Sequence, residues 1–395
     1  MPGVFRVRPE PVAIVAAGVV TPIGGDLDAF WTGLLTGASG ISTIERFPVG
    51  DLRVQRGGEI KKLPSGGESA RRCRASRLLC AAADDLRARA PLAATRARIG
   101  VVVGTALGGV EALEDAVGGE RSLRAAAAGL YDSPAHSLAG HLGARGPVLT
   151  VSTACASGAS ALGLAADLLR ADRADLIVAG GYDGLCRFVM RGFDALRSLT
   201  RERIRPFDRR RSGLLLGEGA ALVLMARDAD VAGPRLGRLL GHASTSDATH
   251  VAAPDPSGRG LQHAIELALA QAGLDADAVE FVSAHGTGTP LNDRIETAVL
   301  KRVLGRRAAG VPVNSIKAGM GHTMGAAATL EAIMCLLAAR HGAIPHTLGF
   351  ESGDAECDLD YVPLRPRSAR PRVSLSTSLG FGGCNAALVL EGVVA

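Results

Sequence analysis

The stretch VSTACASGAS, residues 151–160, sets Cys155 among the smallest side chains available. Two chemistries fit that pattern. One is a close helix contact in which the thiol is merely a small hydrophobe. The other is a nucleophile at a helix start, with its surroundings trimmed so that a substrate can reach it. A helix N-terminus carries partial positive charge and free N–H groups, and both favour thiolate over thiol. The backbone N–H of Cys155 can also help to hold an oxyanion.

Other segments supply partners. AHGTGTPLND places His285 at the end of an apolar run and follows it with Thr287 and Thr289 in a Gly-rich turn suited to a polar ligand. NSIKAGMGH supplies Lys317 and His322, and Glu331 on the following helix can neutralise the lysine. LGFGGCN puts Phe381 and Gly382 in a second Gly-rich turn, where the Phe381 N–H can be a second oxyanion donor. One cysteine with two histidines has a specific use. A hydrolase needs one histidine as base and then an activated water. Two neutral imidazoles donating to one carbonyl oxygen instead stabilise an enolate, which suits decarboxylation followed by carbon–carbon bond formation.

The elements that must position these groups alternate along the chain. Strands are expected at 12–18, 99–104, 148–153, 175–180, 217–225, 280–284, 311–316, 373–379 and 385–391. Helices are expected at 27–36, 75–90, 155–171, 258–273, 291–304 and 322–340. Several strands are continuously apolar, as in sheets covered on both faces, so the pattern is layered α/β. A repeat lies within it. VLTVSTACASGASALGLAADLL and VPVNSIKAGMGHTMGAAATLEAIMCLL share one design, with Cys155 and His322 167 positions apart. GEGAALVL at 217–224 and GCNAALVL at 383–390 lie 166 apart. Two similar halves follow, 1–230 with Cys155 and 231–395 with His285, Lys317 and His322. Their matched helix starts should face a common centre.

Composition bounds the class. Of 395 residues 47% are hydrophobic and 3% aromatic, so a large core is built from Ala, Val and Leu. Seven cysteines, with no C-x-x-C pair and no metal spacing, argue against a disulfide framework and for a reducing cytoplasm. VAIVAAGVV runs straight into the turn and helix start TPIGGDLDAFW, which reads as a strand and not as a signal segment. No apolar stretch reaches the roughly 18 residues of a membrane span. The net charge is +5, with arginine runs at Arg71–Arg77, Arg203–Arg211 and Arg365–Arg372. These suit either a solvated surface or an acidic partner; nucleic acid is disfavoured because no aromatics interleave the runs.

The motifs VVTPIGG, RIGVVVGTALGG, VSTACASGASALG, RPFDRRRSGLLLGEGAALVL, SAHGTGTPLND, SIKAGMGHTMGAA and LGFGGCNAALVL, in this order, resemble a β-ketoacyl-acyl-carrier-protein synthase, an elongating condensing enzyme of the thiolase superfamily. The resemblance implies a thiolase-like fold of two pseudo-symmetric halves in α/β/α/β/α layers. It implies that Cys155 accepts the acyl group, that His285 and His322 serve decarboxylation and condensation, and that Lys317 with Glu331 is a supporting charge pair. Thr287, Thr289, Phe381 and Gly382 would bind substrate, with Phe381 as a gate completing the oxyanion hole. It further implies an acyl carrier protein as partner, no cofactor beyond the carrier's phosphopantetheine, no metal, and a dimer paired through strand 175–180. That dimer is a homodimer, or a heterodimer with a chain-length-factor-like relative. The chain departs from the family at Ser212, where an aspartate is usual, at RRCRASR, which lacks an aspartate at the helix start, and at TRERI (200–204), where fatty-acid members carry a longer loop. The short loop is more similar to ketosynthases of polyene and aryl-polyene pathways. A degradative thiolase and a non-catalytic chain-length-factor-like subunit are the competing readings. The lack of a thiolase's second catalytic cysteine counts against the first, with Cys384 in the position after GFGG that synthases fill variably. Cys155 itself counts against the second.

Overall fold

The computed structural model describes residues 9–63, 72–90, 97–118 and 123–393. Ten strands form one hydrogen-bonded sheet: β1 (Val12–Val20), β2 (Ile99–Gly104), β3 (Val148–Val151), β4 (Leu176–Asp183), β5 (Gly219–Arg227), β6 (Gly237–Ser246), β7 (Phe281–Ser283), β8 (Val313–Asn314), β9 (Val373–Gly380) and β10 (Cys384–Gly392). Their order is β8-β7-β9-β10-β6-β1-β5-β4-β2-β3. Read outward from the middle, the two sides match strand for strand. In each, the two inner pairings are antiparallel and the two outer ones parallel. The sides meet where Val12, Ala13 and Ile14 of β1 pair with Leu239, Arg238 and Gly237 of β6.

The helices that matter are α1 (Leu27–Thr36), α2 (Arg74–Arg89), α3 (Ser157–Arg170), α4 (Arg187–Ala195), α5 (Arg259–Ala272), α6 (Pro290–Leu304) and α7 (Ala327–His341). α2 packs on β1 and β5, and α5 on β6 and β10, while α3 and α7 touch strands of both sides and each other. The result is five layers, α/β/α/β/α, the thiolase-like arrangement in two pseudo-symmetric halves. Buried between the two sides of the sheet, α7 has no exposed face from Ala327 to Ala339. Its alanines, like the Ala/Gly-rich face of α3, keep the middle layer thin. Where α3 meets the turn before α7, a Cβ on Gly158 would lie 2.6 Å from the Gly325 carbonyl oxygen.

Several expectations are revised. β6 was not expected: its second half is partly exposed and polar, HASTS, which masks the strand pattern. The helix α4 and those at Val110–Gly118, Leu123–Ala128 and Ser133–Leu142 were not expected either. The helices read as opening at Cys155 and His322 begin at Ser157 and Ala327. The turns before them carry positive φ at Ala154 and Met324, so by backbone conformation Gly325, not His322, is the counterpart of Cys155. Strand 175–180, expected to form the dimer edge, falls from residue 176 onward on β4, which pairs with β5 and β2 on its two sides. The edge of the first half is β3, half-exposed, which leads into Cys155. At the start of α2 the N-cap Cys73 makes no side-chain cap, and Glu111 from the helix Val110–Gly118 accepts the Ala75 N–H at 2.7 Å instead. Where an ion pair was in doubt, Ser212 and Thr200 share a hydroxyl hydrogen bond of 2.7 Å.

Candidate active site

A cavity of about 410 Å³ collects residues from both halves. It is lined by Cys155, Phe193, His285, Thr287, Thr289, His322 and Phe381, among others. A larger cleft between Arg227–Leu236 and Arg340 holds none of these groups.

Each side chain reaches the cavity for a local reason. Cys155 follows Ala154, a non-glycine residue at φ 50°, a strained turn that α3 and Ser157 hold in place. The Ser157 hydroxyl accepts the Thr153 N–H at 2.9 Å and lies 2.5 Å from the Ala154 carbonyl. The end of β9 abuts this turn: a Cβ on Gly380 would sit 3.1 Å from the Cys155 nitrogen. The Phe381 ring stacks on Phe193 with centroids 5.3 Å apart, and the Gly382 N–H bonds to the Val251 carbonyl at 2.7 Å, which ties the turn to loop 247–253.

His285 follows β7. Its N–H and that of Gly286 donate to the two carboxylate oxygens of Glu296 at 2.7 and 2.9 Å, and Thr377 donates to the same carboxylate. Thr287 and Thr289 share a hydroxyl hydrogen bond of 3.0 Å, and Asp293 takes the Gly288 N–H. His322 is fixed by its own backbone, its N–H donating to Leu215 and its carbonyl accepting from Gly217. The two imidazoles meet edge to face, with centroids 5.2 Å apart. His285 Nδ1 and both ring nitrogens of His322 are buried with no hydrogen-bond partner. Behind them Lys317 and Glu331, 2% and 1% exposed, form a buried ion pair.

The electrostatics follow from burial. Both imidazoles are held well below the ordinary histidine range by burial and by Lys317 beside them, so they are neutral near pH 7. The expected low thiol pKa is not found. Burial pushes Cys155 up to about 12, against the pull of Lys317 and of the Phe381 backbone N–H. Desolvation at this depth outweighs the pull of Lys317 and of the Phe381 N–H, so the thiol is protonated near pH 7. Burial also raises Glu331, to about 7, with Lys317 pulling it down.

The arginine runs are mostly spent within the fold. Arg203 and Arg210 both bind Glu351, Arg211 binds Asp354, Arg367 binds Asp360, Arg372 binds Glu391 and Arg74 binds Glu218. Arg71 lies outside the described residues. Arg197, exposed at the cavity mouth, and exposed Arg201 and Arg209 form no salt bridge among the described residues, although Arg209 acts on Asp354. Sequence reasoning missed Glu296, Asp293 and Phe193. The signal for the first two was present, since acids just after HGTGTP on an otherwise apolar helix face are hard to place in solvent.

A model of the β-ketoacyl synthase N-terminal domain matches residues 9–231, and one of its C-terminal domain matches residues 236–351. The chain belongs to the β-ketoacyl synthase family. It is 39% identical to the tetracenomycin polyketide synthase ketoacyl synthase alpha subunit of Streptomyces glaucescens, over 96% of each chain. It is 34% identical to 3-oxoacyl-[acyl-carrier-protein] synthase 2 of Synechocystis, over 96% of this chain and 97% of that one. Among solved structures, the ishigamide ketosynthase/chain length factor superposes with a TM-score of 0.92 at 30% identity, covering 98% of this chain and all of that one. A type II polyketide acyl-carrier protein in complex with its ketosynthase gives 0.90 at 28% identity, with coverage of 98% and 100%. This β-ketoacyl synthase is therefore an acyltransferase, a 3-oxoacyl-acyl-carrier-protein synthase that lengthens an acyl chain by condensation. Family membership sets aside the degradative thiolase, and Cys384 is absent from the residues that line the cavity. No helix among the described residues is long and apolar enough to cross a membrane.

Proposed function

We propose that Cys155 is the nucleophile of this synthase and that His285 and His322 stabilise the enolate. Cys155 attacks the carrier-bound thioester, forming acyl-S-Cys155 and releasing the carrier thiol. Malonyl-carrier then enters, and the two imidazoles donate N–H to its thioester oxygen as the bond to the carboxylate breaks and CO2 leaves. The enolate carbon attacks the acyl carbon, the Cys155 sulfur departs, and a 3-ketoacyl-carrier two carbons longer results. The N–H groups of Cys155 and Phe381 hold the oxyanion at each attack. Lys317, paired with Glu331, keeps both imidazoles neutral. Thr287 and Thr289 hold the carrier's pantetheine arm, and Phe381 and Gly382 form the gate. The halves divide at 230/231, the first bearing the thiol and the second the imidazoles. The observation that carries this is one cavity shared by a thiol, two neutral unpartnered imidazoles and a backbone N–H aimed at the sulfur.

An acidic acyl carrier protein docks over Arg197, Arg201 and Arg209, and the protein works in the cytoplasm. The chain dimerises through β3, either with a second copy or, as the alpha subunit it resembles suggests, with a cysteine-less chain-length-factor-like relative. In that pairing it is the catalytic half of a polyketide synthase, because it keeps Cys155. Intact-mass analysis after offering acyl-carriers of several lengths tests the reading. An acyl adduct on Cys155 that malonyl-carrier discharges is expected; no adduct on Cys155 at any length overturns it. Co-expression with such a relative, followed by light scattering, distinguishes the two dimers.

A further inference from the structure

We propose that Asp183 is a positioning residue that fixes the His322 turn against the Cys155 turn. Asp183 ends β4 and is fully buried. Its Oδ2 accepts the N–H groups of Gly325 at 2.6 Å and Ala106 at 2.9 Å. Its Oδ1 accepts the Thr105 hydroxyl at 2.6 Å and the Leu107 N–H at 3.0 Å. Three of these donors belong to the loop after β2 in the first half. The fourth, Gly325, lies in the short turn Met324–Ala326 of the second half, three residues past His322. One carboxylate therefore spans the two halves at the level of the cavity.

Both sides of this link lead to reacting groups. The Thr105 carbonyl lies 3.1 Å from the Ser157 hydroxyl, which accepts the N–H of Thr153, two residues before Cys155. On the other side, His322 is tied to Leu215 and Gly217 of the first half through its own backbone. The Asp183–Gly325 bond fixes the far end of the same turn, so the His322 turn is clamped to the first half both at His322 and three residues on. No slack exists: a Cβ on Gly325 would lie 2.6 Å from the Thr105 Cα and 2.8 Å from Asp183 Oδ2. β4 does not need these bonds to stay in place, since its ladders to β5 and β2 already hold it. The carboxylate serves the turns and not the strand.

All four partners are donors, so an amide in place of the carboxylate turns an NH2 toward two N–H or O–H groups and loses their bonds. The inference rests on the role proposed for His322, which the acylation assay on the native enzyme tests separately. The experiment compares native enzyme and Asp183→Asn. It measures condensation kcat, KM for malonyl-carrier, the acylation burst at Cys155 and the melting temperature. Expected is a fall in kcat of about 10- to 100-fold, the effect of a displacement approaching 1 Å. KM and burst amplitude should stay unchanged, because the pantetheine contacts are untouched and the amplitude counts competent thiols, whereas the burst rate should shift, since Asp183 acts on the Cys155 thiol and reaches its turn through Thr105 and Ser157. A folded variant with native kcat overturns the proposal. So does a variant in which kcat, KM, burst and melting temperature all deteriorate together, which makes Asp183 a support of the fold. If Asp183→Asn does not fold, amide hydrogen exchange on the native protein decides. Gly325 and Ala106 should both exchange slowly, and exchange of Gly325 at the rate of an exposed amide overturns the proposal.

Discussion

Replacing Gly158 by alanine should separate activity from stability. A Cβ there would lie 2.6 Å from the Gly325 carbonyl oxygen and 2.8 Å from Thr329 Oγ1, where ordinary contact begins at 3.4 Å. Thr329 can rotate, but the Gly325 carbonyl cannot, because its residue is bonded to Asp183. The starts of α3 and α7 must therefore part by roughly 0.8 Å. Overpacking of this kind costs about 1–3 kcal/mol, and alanine in place of a helical glycine returns up to about 1. The net loss of stability is modest. The same shift moves the Cys155 turn away from the His322 turn, and a misplacement approaching 1 Å costs up to about 100-fold in rate, or roughly 2.7 kcal/mol in the barrier. Condensation would be followed by mass spectrometry of the carrier-bound product, with thermal melting in parallel. Native condensation and native melting in Gly158→Ala would refute the close approach of the two helix starts.

Other outcomes follow from the same geometry. Cys155→Ala should lose acylation and elongation yet retain malonyl decarboxylation, read as CO2 release; native elongation would exclude Cys155 as nucleophile. Lys317→Met leaves Glu331 buried without its partner and should cost about 3–5 kcal/mol in chemical denaturation at neutral pH; a loss below 1 kcal/mol would contradict the burial of the pair. Iodoacetamide labelling of Cys155 should climb about tenfold per pH unit from 7 to 10 without a plateau, because the thiol stays protonated toward about 12; a plateau near pH 7 contradicts this. The thiols of Cys73, Cys80, Cys155, Cys186 and Cys357 are all raised by burial, to about 11 or 12. Unfolded cysteines ionise near 8.5, so the folded state keeps protons that the unfolded state loses. Stability is thus intact below about pH 8.5 and should fall by up to about 1.4 kcal/mol per pH unit per thiol above it; a flat denaturation midpoint from pH 8 to 10 would count against that burial.

Much of the fold was legible because the halves repeat. Matching motifs near one spacing gave the duplication, and continuous apolar runs gave buried strands. β6 was missed because HASTS lies where the sheet is partly solvated, so neither an alternating nor a continuous pattern marks it. The sheet edge was misplaced because apolarity reports burial and not what covers a strand. β4 is apolar since it is covered by neighbours on both sides. The residues expected at the site do share one cavity, apart from Lys317 and Glu331 behind it and Gly382 in the adjoining turn. The acids that orient their backbones, Glu296 and Asp183, were not foreseen, because each acts on donors brought to it by other elements.

The sequence by itself determined the candidate groups and the turns that carry them. A thiol among Gly and Ala, histidines beside Gly-rich turns, and a lone lysine after an apolar strand are local facts. Their chemistry follows from residue type and a few neighbours. Only the tertiary structure decided their protonation and mutual distance. The thiol is pushed up by burial around Cys155, which outweighs the pull of Lys317 and of the Phe381 N–H. The free charge of the arginine runs is likewise set by Glu351, Asp354 and Asp360, which lie far away in sequence from most of their partners. Desolvation and ion pairing sum over everything packed around a group, whereas a motif specifies only what is adjacent to it along the chain.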